Sequence, residues 1–516
     1  MQTTKVVIVG AGTAGVTAAA WLLKHGVSDV IILEAQDYVG GRVKAEVVDN
    51  TPIDLGAQFV HGRDGNPAFY IAERLGMEFY PTTACLQTQL INSPPEFLTS
   101  SGHRVSQRET GALVEHLTRH LLKEAGEEPV EIDDRGQNEG ECYERAYDQF
   151  LEANNHTLTP RLRELYDAIF RWYCAYQTID TSAYDLKDLS VWALSIYKVL
   201  KGHRFTYVKG GITAILKAIA DLLPPNIIHL NTPVAHIDWS DVSKTPKLGK
   251  CRVTCENGRQ YLSDYVIVTV SIGCLQSGHR KLFKPELPRP LQSAINHIGF
   301  GGIGKIFLIW NEPFVGYTTT NGVHHVESFD LLWLDSAPVV IHSDRCPQKT
   351  RYGKPWWYGL HAAETVYGSP NILELWLNKD QASIMEQLDE TEVKDVCHEV
   401  LQTFFKHLTI PKPVDMCRTK WISNPYIQGT YSYISSRIRR EDLKHLGQPL
   451  PSPENPRLLF AGEGYAHEFI STFHGAILSG QGQANLILQD LGQQTSHHVT
   501  DLFSERAAPR TPRPRL

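Results

Sequence analysis

A glycine-punctuated turn near the start of the sequence constrains the fold more than any other feature. The run VVIVGAGTAG covers residues 6–15, and its glycines have the spacing GxGxxG. An apolar, β-rich run, KVVIVG, precedes the turn, and a segment with helical spacing, TAGVTAAAWLLKHG, follows it. A second apolar run, DVIILEA, comes next. The pattern predicts a strand–helix–strand unit with buried parallel strands, which is the core of an α/β fold.

The glycines of this turn have distinct roles in binding a dinucleotide. Gly10 permits the tight turn, Gly12 lets the backbone approach a pyrophosphate, and Gly15 lets the helix pack on the strand. The start of the helix, at Ala14, offers unpaired N–H groups to phosphate oxygens. Glu34 ends the next strand, 19 residues after Gly15, where a carboxylate can accept hydrogen bonds from ribose hydroxyls. The alternative, a turn without a ligand, is weakened by this carboxylate.

Arg42 helps to distinguish between two dinucleotides. It ends a second glycine turn, GGR, that follows the acidic residue and can bring a guanidinium to the pyrophosphate. A glutamate at position 34 also disfavours a 2′-phosphate. This extension resembles the pattern of flavoproteins more than that of nicotinamide dehydrogenases, although Arg42 in a surface ion pair is the simpler alternative.

Composition excludes several other classes of protein. The 516 residues are 42% hydrophobic and 21% charged, which predicts a large packed core spread over about two to four domains. The net charge of −7 does not favour binding to nucleic acid, which uses a basic face. Nine scattered cysteines without a CxxC pair favour reduced thiols, and His116 and His120 lack the glutamate of a zinc-binding helix, so no metal is predicted. We expect no signal peptide and no membrane-spanning segment.

Six motifs occur in one order over almost the entire chain. They are VVIVGAGTAG, EAQDYVGGR, DLGAQFVHG, IGFGGIGKIFL, NPYIQGTYSY and LLFAGEGYAHEFISTFHGAILSG. Together they resemble the FAD-dependent amine oxidase family, which contains monoamine oxidases, polyamine oxidases and flavin-dependent histone-lysine demethylases. The resemblance implies a Rossmann-like FAD-binding domain and an α+β substrate-binding domain, both built from noncontiguous segments.

The resemblance also divides the chain into segments. We expect residues 1–80, 205–290 and 415–495 to form the FAD-binding domain, and residues 81–204 and 291–414 to form the substrate-binding domain. Residues 496–516, which include the proline- and arginine-rich stretch SERAAPRTPRPRL, are expected to be a disordered tail.

Individual residues narrow the branch of the family. Monoamine oxidases attach FAD covalently through a cysteine where this sequence has Thr430, so the resemblance implies noncovalent FAD. The histone demethylases carry an added helical domain and a long helical hairpin, and this sequence shows neither. His61, in the motif VHG, matches the animal polyamine oxidases. Spermine and N1-acetylated polyamines are therefore the expected substrates.

The resemblance implies an oxidation that begins with hydride transfer to flavin. An imine forms, water hydrolyses it to an aldehyde and a shorter amine, and oxygen is reduced to hydrogen peroxide. Lys305 matches the family lysine that holds a water against the flavin N5, and His61 matches a substrate-contacting residue. Tyr431 matches an aromatic wall that can hold an amine by its ring face. The opposite wall, a tyrosine in many relatives, is Thr472 here, which argues against a cage of two tyrosines.

The resemblance assigns further contacts to substrate and cofactor. Asp180 and Ser182 match residues that bind the distal amine, with an ordinary helix cap as the alternative. Among the cofactor contacts, Val234 is expected at the adenine, Glu463 at the ribityl or phosphate region and Trp421 near the isoalloxazine. The full implied set is Gly10, Gly12, Ala14, Gly15, Glu34, Ala35, Gly41, Arg42, Gly56, Ala57, Val234, Trp421, Glu463 and Thr472.

The partners implied are a polyamine and oxygen, without nucleic acid or membrane. The final tripeptide PRL resembles that of vertebrate peroxisomal polyamine oxidases, which implies an import receptor and a peroxisomal or cytoplasmic location. It departs from the standard S-K-L at two positions, so a chain end without a signal is the alternative. Two other functions stay open: a methyl-lysine demethylase and an inactive flavin-binding scaffold. The presence of Lys305 and Tyr431 argues against the scaffold.

Overall fold

The computed structural model describes most of the chain. The described residues are 1–48, 51–81, 97–125, 138–240, 250–313, 319–320, 323–324, 328–337, 339, 341, 349–350, 353–493 and 502–503. The acidic run at residues 126–137 and the terminal tripeptide at residues 514–516 lie outside this set.

The first large sheet contains the predicted strand–helix–strand unit. Its central strand, Gln2–Val9, is parallel to Val30–Leu33 on one side and to Gln260–Val268 on the other. Val30–Leu33 reads VIIL and is buried along its whole length, as expected for an apolar strand covered on both faces. The strand order is Phe283–Lys284, Val234–Asp238, Cys251–Cys255, Gln260–Val268, Gln2–Val9, Val30–Leu33, Ile228–His229, and Asn455–Phe460 pairs with both Gln260–Val268 and Leu450–Ser452.

Two helices cross the same face of this sheet at close range. The helix Thr13–Lys24 is rich in alanine, and its first ten residues are buried. It packs against Phe473–Asp490, where a Cβ added to Gly480 would lie 2.2 Å from the carbonyl oxygen of Ala14. Only glycine permits this approach, so the late helix directly supports the start of the early one.

The second large sheet is mostly antiparallel. Its strand order is Asp415–Arg418, Ile303–Ile309, Ser369–Asn378, Ala362–Val366, Ser328–Leu332, Phe97–Thr99, Arg104–Val105. Four two-stranded pairs accompany the large sheets: Gly299–Phe300 with Ser432–Tyr433, Thr319–Thr320 with Val323–His324, Ala45–Val48 with Thr51–Asp54, and Phe79–Pro81 with Thr206–Val208.

Helices surround both sheets. The remaining α-helices are Pro67–Arg74, Gln107–Ala125, Glu139–Ala153, Pro160–Thr181, Gly211–Ala220, Ile272–Leu282, Arg289–His297, Lys379–Met385, Glu390–Phe404 and Arg440–Leu443. Short 3₁₀ helices occupy Asn155–Thr157, Leu186–Asp188, Val191–Ser195, Trp356–Gly359, Glu463–Tyr465 and His467–Phe469. This mixture of a partly parallel sheet, an antiparallel sheet and covering helices confirms the predicted α/β class with an α+β part.

The strands of each sheet come from separated segments of the chain, and one strand pair crosses a predicted domain boundary. Asp415–Arg418 was assigned by sequence to the FAD-binding segment, but it pairs with Ile303–Ile309 at the edge of the second sheet. The pairing therefore joins strands from the two predicted domains across the boundary at residue 415, which stays a prediction. Motif spacing could not predict this pairing, because the partner of this short strand lies more than a hundred residues away in sequence.

The predicted disordered tail also needs a correction. Leu502 and Phe503 are 7% and 4% exposed and belong to the core cluster around the first sheet. The Phe503 carbonyl accepts a hydrogen bond from Arg74 at 2.9 Å. Disorder across the whole range 496–516 is thus wrong at these two residues, where adjacent apolar side chains find a core to enter.

Candidate functional site

One cavity of about 960 Å³ lies between the two large sheets. Nearly all the residues that the sequence assigns to a site line it: Gly10, Gly12, Ala14, Glu34, Ala35, Gly41, Arg42, Gly56, Ala57, His61, Asp180, Val234, Lys305, Trp421, Tyr431, Glu463 and Thr472. Gly15 and Ser182 do not line it. The structure thus brings the predicted cofactor and substrate positions into one continuous space, while the role of each residue stays a prediction.

The end of the cavity at the glycine turn has free backbone donors. Gly12 is the N-cap of the helix Thr13–Lys24 and has no side chain that could cap it. No acidic residue lies in the first turn. The first N–H groups of the helix therefore have no side-chain acceptor and face the cavity with a partial positive charge. A Cβ added to Gly12 would meet only the Gly40 carbonyl oxygen, at 3.9 Å. This open space beside free N–H groups fits a pyrophosphate.

Glu34 stands beside this turn as an organised acceptor. Its two carboxylate oxygens accept hydrogen bonds from the backbone N–H groups of Ala11 at 2.6 Å and Gln36 at 2.8 Å. Burial raises its pKa, and these N–H groups oppose that rise. Each oxygen keeps a further lone pair, so the carboxylate can still accept from a ribose hydroxyl.

Arg42 has a fixed position, because its side chain is hydrogen-bonded to other protein groups. Its guanidinium donates to Glu463 at 2.7 Å and to the Thr430 carbonyl at 2.5 Å. Glu463 also accepts from the N–H and hydroxyl of Ser432 and from the N–H of Ser471. This network fixes the Arg42 guanidinium at the cavity wall. The ion pair with Glu463 is therefore largely buried and is not the surface ion pair considered as the alternative.

Lys305 connects the two halves of the site. It lies in the strand Ile303–Ile309 and is 3% exposed. Its ammonium donates to the carbonyl oxygens of Asp54 and Gly56, each at 3.3 Å, and to the side-chain oxygen of Gln58. Its ion-pair partner, Glu374, lies at 3.2 Å on the neighbouring strand. A buried ammonium is thereby satisfied from two sides, by the end of the strand Thr51–Asp54 with the segment after it and by the second large sheet.

The same face of the second sheet carries several carboxyl groups. Glu374 is directly opposite Glu364, and residues two apart on a strand share a face, so Lys305, Glu374 and Glu364 all lie on the cavity side. Burial, and then repulsion by Glu374 and Asp330, raises the pKa of Glu364 to about 8. Burial likewise raises the pKa of Asp330 to about 7, and that of Asp54 to about 7 against the opposing charge of Lys305.

His61 is a neutral imidazole with a defined orientation. Burial, reinforced by the charge of Arg204, lowers its pKa to about 4. Its Nδ1 lies 2.9 Å from the Arg204 carbonyl oxygen, and because a carbonyl only accepts, Nδ1 carries the proton. The Nε2 lone pair is then left to accept a hydrogen bond. The rings of Phe59 and Phe205 flank the imidazole.

The residues predicted for the distal amine are arranged differently from expectation. Asp180 forms an ion pair with Arg204 at 3.3 Å, so its charge already has a partner. Ser182 is fully buried away from the cavity, and its hydroxyl is hydrogen-bonded to that of Thr430 at 2.9 Å. The structure therefore does not bring Ser182 to a substrate, because the hydroxyl is used to fix the neighbouring loop.

The two positions that would face a flavin ring, Tyr431 and Thr472, both have hydroxyl groups that are hydrogen-bonded to the protein. The Tyr431 ring lines the cavity while its hydroxyl donates to the Ile179 carbonyl, and burial raises its pKa. The Thr472 hydroxyl donates to the Phe469 carbonyl at 2.7 Å and accepts from the Gly475 N–H at 2.9 Å. Thr472 thus caps the helix Phe473–Asp490, which leaves its hydroxyl committed to the fold.

Sequence reasoning missed several polar residues of the site. They are Gln58, Glu139, Arg204, Asp330, Glu364 and Glu374. A usable signal existed for the two glutamates of the second sheet. Each interrupts an apolar strand, in HAAETV and ILELWL, where a buried charge needs a reason. Arg204 gave no such signal, because only the tertiary fold brings it to Asp180.

Two features are absent from the part of the chain that the structure describes. None of the helices there is long and apolar enough to cross a membrane. No group of three or more histidine, cysteine, aspartate or glutamate side chains in the described ranges is arranged to hold a metal ion. All seven cysteines in those ranges are free thiols.

Comparison with known proteins gives one family and several full-length relatives. The family described as flavin containing amine oxidoreductase matches residues 13–488. The human peroxisomal N(1)-acetyl-spermine/spermidine oxidase is 29% identical over 94% of both chains. Polyamine oxidase 1 of Oryza sativa subsp. japonica is 27% identical over 96% of this chain and 98% of its own length. Lysine-specific histone demethylase 1 homolog 3 of Arabidopsis thaliana is 28% identical over 94% of this chain but 30% of its own length. These matches imply FAD as the cofactor, as the sequence predicts.

The glycine turn can be tested by separating binding from folding. Gly12→Val places its side chain in the open space of the cavity, at extended backbone angles that valine tolerates. We expect a folded protein that lacks the visible absorbance of flavin. Gly15→Val should instead fail to fold, because its Cβ would lie 2.1 Å from the Gly10 carbonyl oxygen. Gly111→Ala, with no atom within 4 Å, is the matched control, and circular dichroism reports folding. Stoichiometric flavin in Gly12→Val would contradict the assignment.

The acidic face predicts a dependence of stability on pH. The pKa of Glu364 is about 8 in the folded protein and 4.5 ordinarily, so between these values the folded state holds a proton that the unfolded state has released. Stability is therefore lost as the pH rises across this window. Glu364→Gln cannot titrate, so its thermal midpoint should fall less than that of the wild type between about pH 5 and pH 8. The exposed Glu152→Gln is the control, and identical slopes for all three proteins would refute the prediction.

Proposed function

Because the chain belongs to the family of flavin-containing amine oxidoreductases, we propose that it oxidises secondary amines of polyamines, namely spermine, N1-acetylspermine or N1-acetylspermidine. Polyamine, oxygen and water would give an aminoaldehyde, a shorter amine and hydrogen peroxide. The observation that carries the proposal is the single cavity in which the dinucleotide turn meets Lys305, His61 and Tyr431. Two of the relatives are named for polyamine oxidation, which supports the same substrate class.

The described residues fit an FAD molecule held without a covalent bond. The free N–H groups after Gly12 and the fixed guanidinium of Arg42 would hold the pyrophosphate, and Glu34 would hold the adenosine ribose. Thr430 offers no thiol for attachment. When bound, FAD supplies the acceptor for the hydride that leaves the carbon next to the amine.

His61 is suited to hold the amine that reacts. A secondary amine must be neutral at nitrogen to release a hydride from the adjacent carbon. The neutral imidazole carries its proton on Nδ1, toward Arg204, and can accept the amine N–H at Nε2. The rings of Phe59 and Phe205 flank the imidazole, and the Tyr431 ring lines the same cavity.

Lys305 is suited to hold a water near the reacting atoms. Its carbonyl, amide and carboxylate contacts fix the ammonium position, and the aliphatic stem lies within the strand layer. The ammonium centre lies 4.4 Å from the Trp376 ring centroid, which further restricts it. Its three N–H groups are shared among four acceptors, so a water would replace one of the carbonyl contacts at 3.3 Å. A positioned cation of this kind can orient that water and pass a proton.

The proposed location is supported by the names of two relatives, and the proposed import partner by the terminal tripeptide, rather than by the fold. Two relatives carry the word peroxisomal in their names. We propose a peroxisomal or cytoplasmic location, with the terminal tripeptide Pro514-Arg515-Leu516 as the import signal. Its replacement by serine-glycine-glycine in a fluorescent fusion would remove peroxisomal localisation if this assignment holds.

The substrate class can be tested directly by flavin reduction. The purified protein is mixed anaerobically with spermine, N1-acetylspermine, benzylamine or a methyl-lysine peptide, and the visible flavin absorbance is followed. We expect rapid bleaching by a polyamine and none by benzylamine. Bleaching by the methyl-lysine peptide alone would assign the protein to demethylation instead. Flavin that none of the amines bleaches would refute amine oxidation and favour a scaffold.

The role of Lys305 can be separated from its structural contacts. Lys305→Met should retain the flavin spectrum and slow anaerobic reduction by about 100-fold or more. Because this change leaves Glu374 unpaired, Lys305→Met/Glu374→Gln is made as well, and it should recover stability without recovering the rate. The exposed Lys420→Met is the matched control. A wild-type rate in the double variant would restrict Lys305 to a structural role.

A further inference from the structure

Asp180 is the expected partner for the distal ammonium of a polyamine, but its charge is already compensated. The Arg204 guanidinium lies 3.3 Å from one carboxylate oxygen, and both side chains are about one-quarter exposed. Arg204 itself lines the cavity, so an ammonium approaching Asp180 would also approach a fixed positive charge. A substrate with a free terminal ammonium therefore needs another acceptor in this part of the cavity.

Glu139 provides such an acceptor. It is the first residue of the helix Glu139–Ala153, lines the cavity and is only 4% exposed. Its backbone N–H donates to the Leu189 carbonyl, which fixes the start of the helix against the segment that contributes Leu189, Ala193 and Leu194 to the cavity wall. Its carboxyl group has no hydrogen-bond or ion-pair partner among the described residues.

Three other buried carboxyl groups of the cavity already have donors, and a fourth, Glu364, has the charge of Lys305 near it. Glu34 accepts from the backbone N–H groups of Ala11 and Gln36, and Glu463 accepts from Arg42 and Ser432. Asp330 accepts from the indole N–H of Trp172 at 2.9 Å. Glu139 differs from these three, because no described protein group satisfies its carboxyl, whose oxygens are left open to the cavity, where a ligand can satisfy them.

The charge environment of Glu139 favours a cationic ligand. Burial, together with repulsion by Asp180, raises its pKa to about 8. This carboxyl is therefore neutral in the empty cavity at neutral pH, and a neighbouring ammonium would favour its charged form. The Leu189, Ala193 and Leu194 residues that line the same cavity match the methylene segments of an aliphatic amine.

We propose that Glu139, rather than Asp180, binds the terminal ammonium of an aliphatic polyamine in this cavity. The inference rests on the proposed polyamine function and adds the residue that selects a free ammonium over a capped end. Asp180 then acts as a positioning residue, because its ion pair holds Arg204, whose carbonyl orients His61.

The experiment uses ligands that the enzyme cannot turn over as polyamines. Straight-chain α,ω-diamines from hexane to dodecane contain no secondary amine, and each is compared with the monoamine of the same length. Binding is measured by perturbation of the visible flavin spectrum in the full-length holoenzyme. The difference between diamine and monoamine reports the second ammonium alone, and it needs no catalysis.

We expect the wild type to bind its best diamine about 30-fold more tightly than the matching monoamine, or more. Glu139→Gln should remove this preference, and Glu139→Asp should retain part of it. The exposed Glu141→Gln, on the same helical turn, is the matched control and should behave as the wild type.

Two results would overturn the inference. One is a diamine preference that survives Glu139→Gln, above all if Asp180→Asn or Glu364→Gln removes it. The other is a wild type without any diamine preference. Failure of the proposed function is recognised separately, since spermine would then leave the flavin oxidised under anaerobic conditions whatever the binding data show.

Discussion

The buried ammonium of Lys305 is the interaction on which the arrangement of the site depends. An unpaired ammonium at 3% exposure would be strongly destabilising, so its acceptors must be held in place. Two acceptors are carbonyl oxygens of Asp54 and Gly56, and another is the side chain of Gln58, all in the segment that follows the first glycine turns. The fourth, Glu374, belongs to the second sheet. One cation thereby fixes the distance between the wall that carries the cofactor positions and the wall that carries the substrate positions.

The carboxyl groups around Lys305 exceed the positive charge available to them. Glu374 is paired with Lys305. Burial raises the pKa values of Glu364, Asp330 and Asp54 to about 8, 7 and 7. Such groups are largely or partly protonated near neutral pH, so the empty cavity avoids a concentration of like charge. A cationic ligand favours their ionised forms, which means that the cavity acquires its negative character as the ligand enters.

Much of the fold could be predicted from local sequence, and less of the site. The strand–helix–strand unit is encoded within 34 residues by apolar runs and a glycine turn, so it required no tertiary information. The family resemblance predicted that distant motifs share one site, because each motif can be recognised from its own local sequence. The pairing of Asp180 with Arg204, the burial of Ser182 and the entry of Leu502 and Phe503 into the core could not be foreseen. In each case the partner is distant in sequence, and the contact leaves no periodic pattern.

Asp180 has a charged partner and Glu139 has none among the residues that the structure describes, and this difference follows from the position of each residue in its helix. Asp180 lies in the last turn of the helix Pro160–Thr181, where an arginine from a following segment reaches it and fixes its charge. Glu139 lies at the first turn of its own helix, where the partial positive charge of the helix favours a carboxylate but supplies no hydrogen-bond donor to it. A carboxylate needs specific donors as well as a favourable field when water is excluded. An ammonium on a flexible chain brings such donors with it, and the apolar wall beside Glu139 accepts the rest of that chain. The same geometry disfavours a neutral end group, because an acetyl-capped amine offers one weak donor where an ammonium offers three.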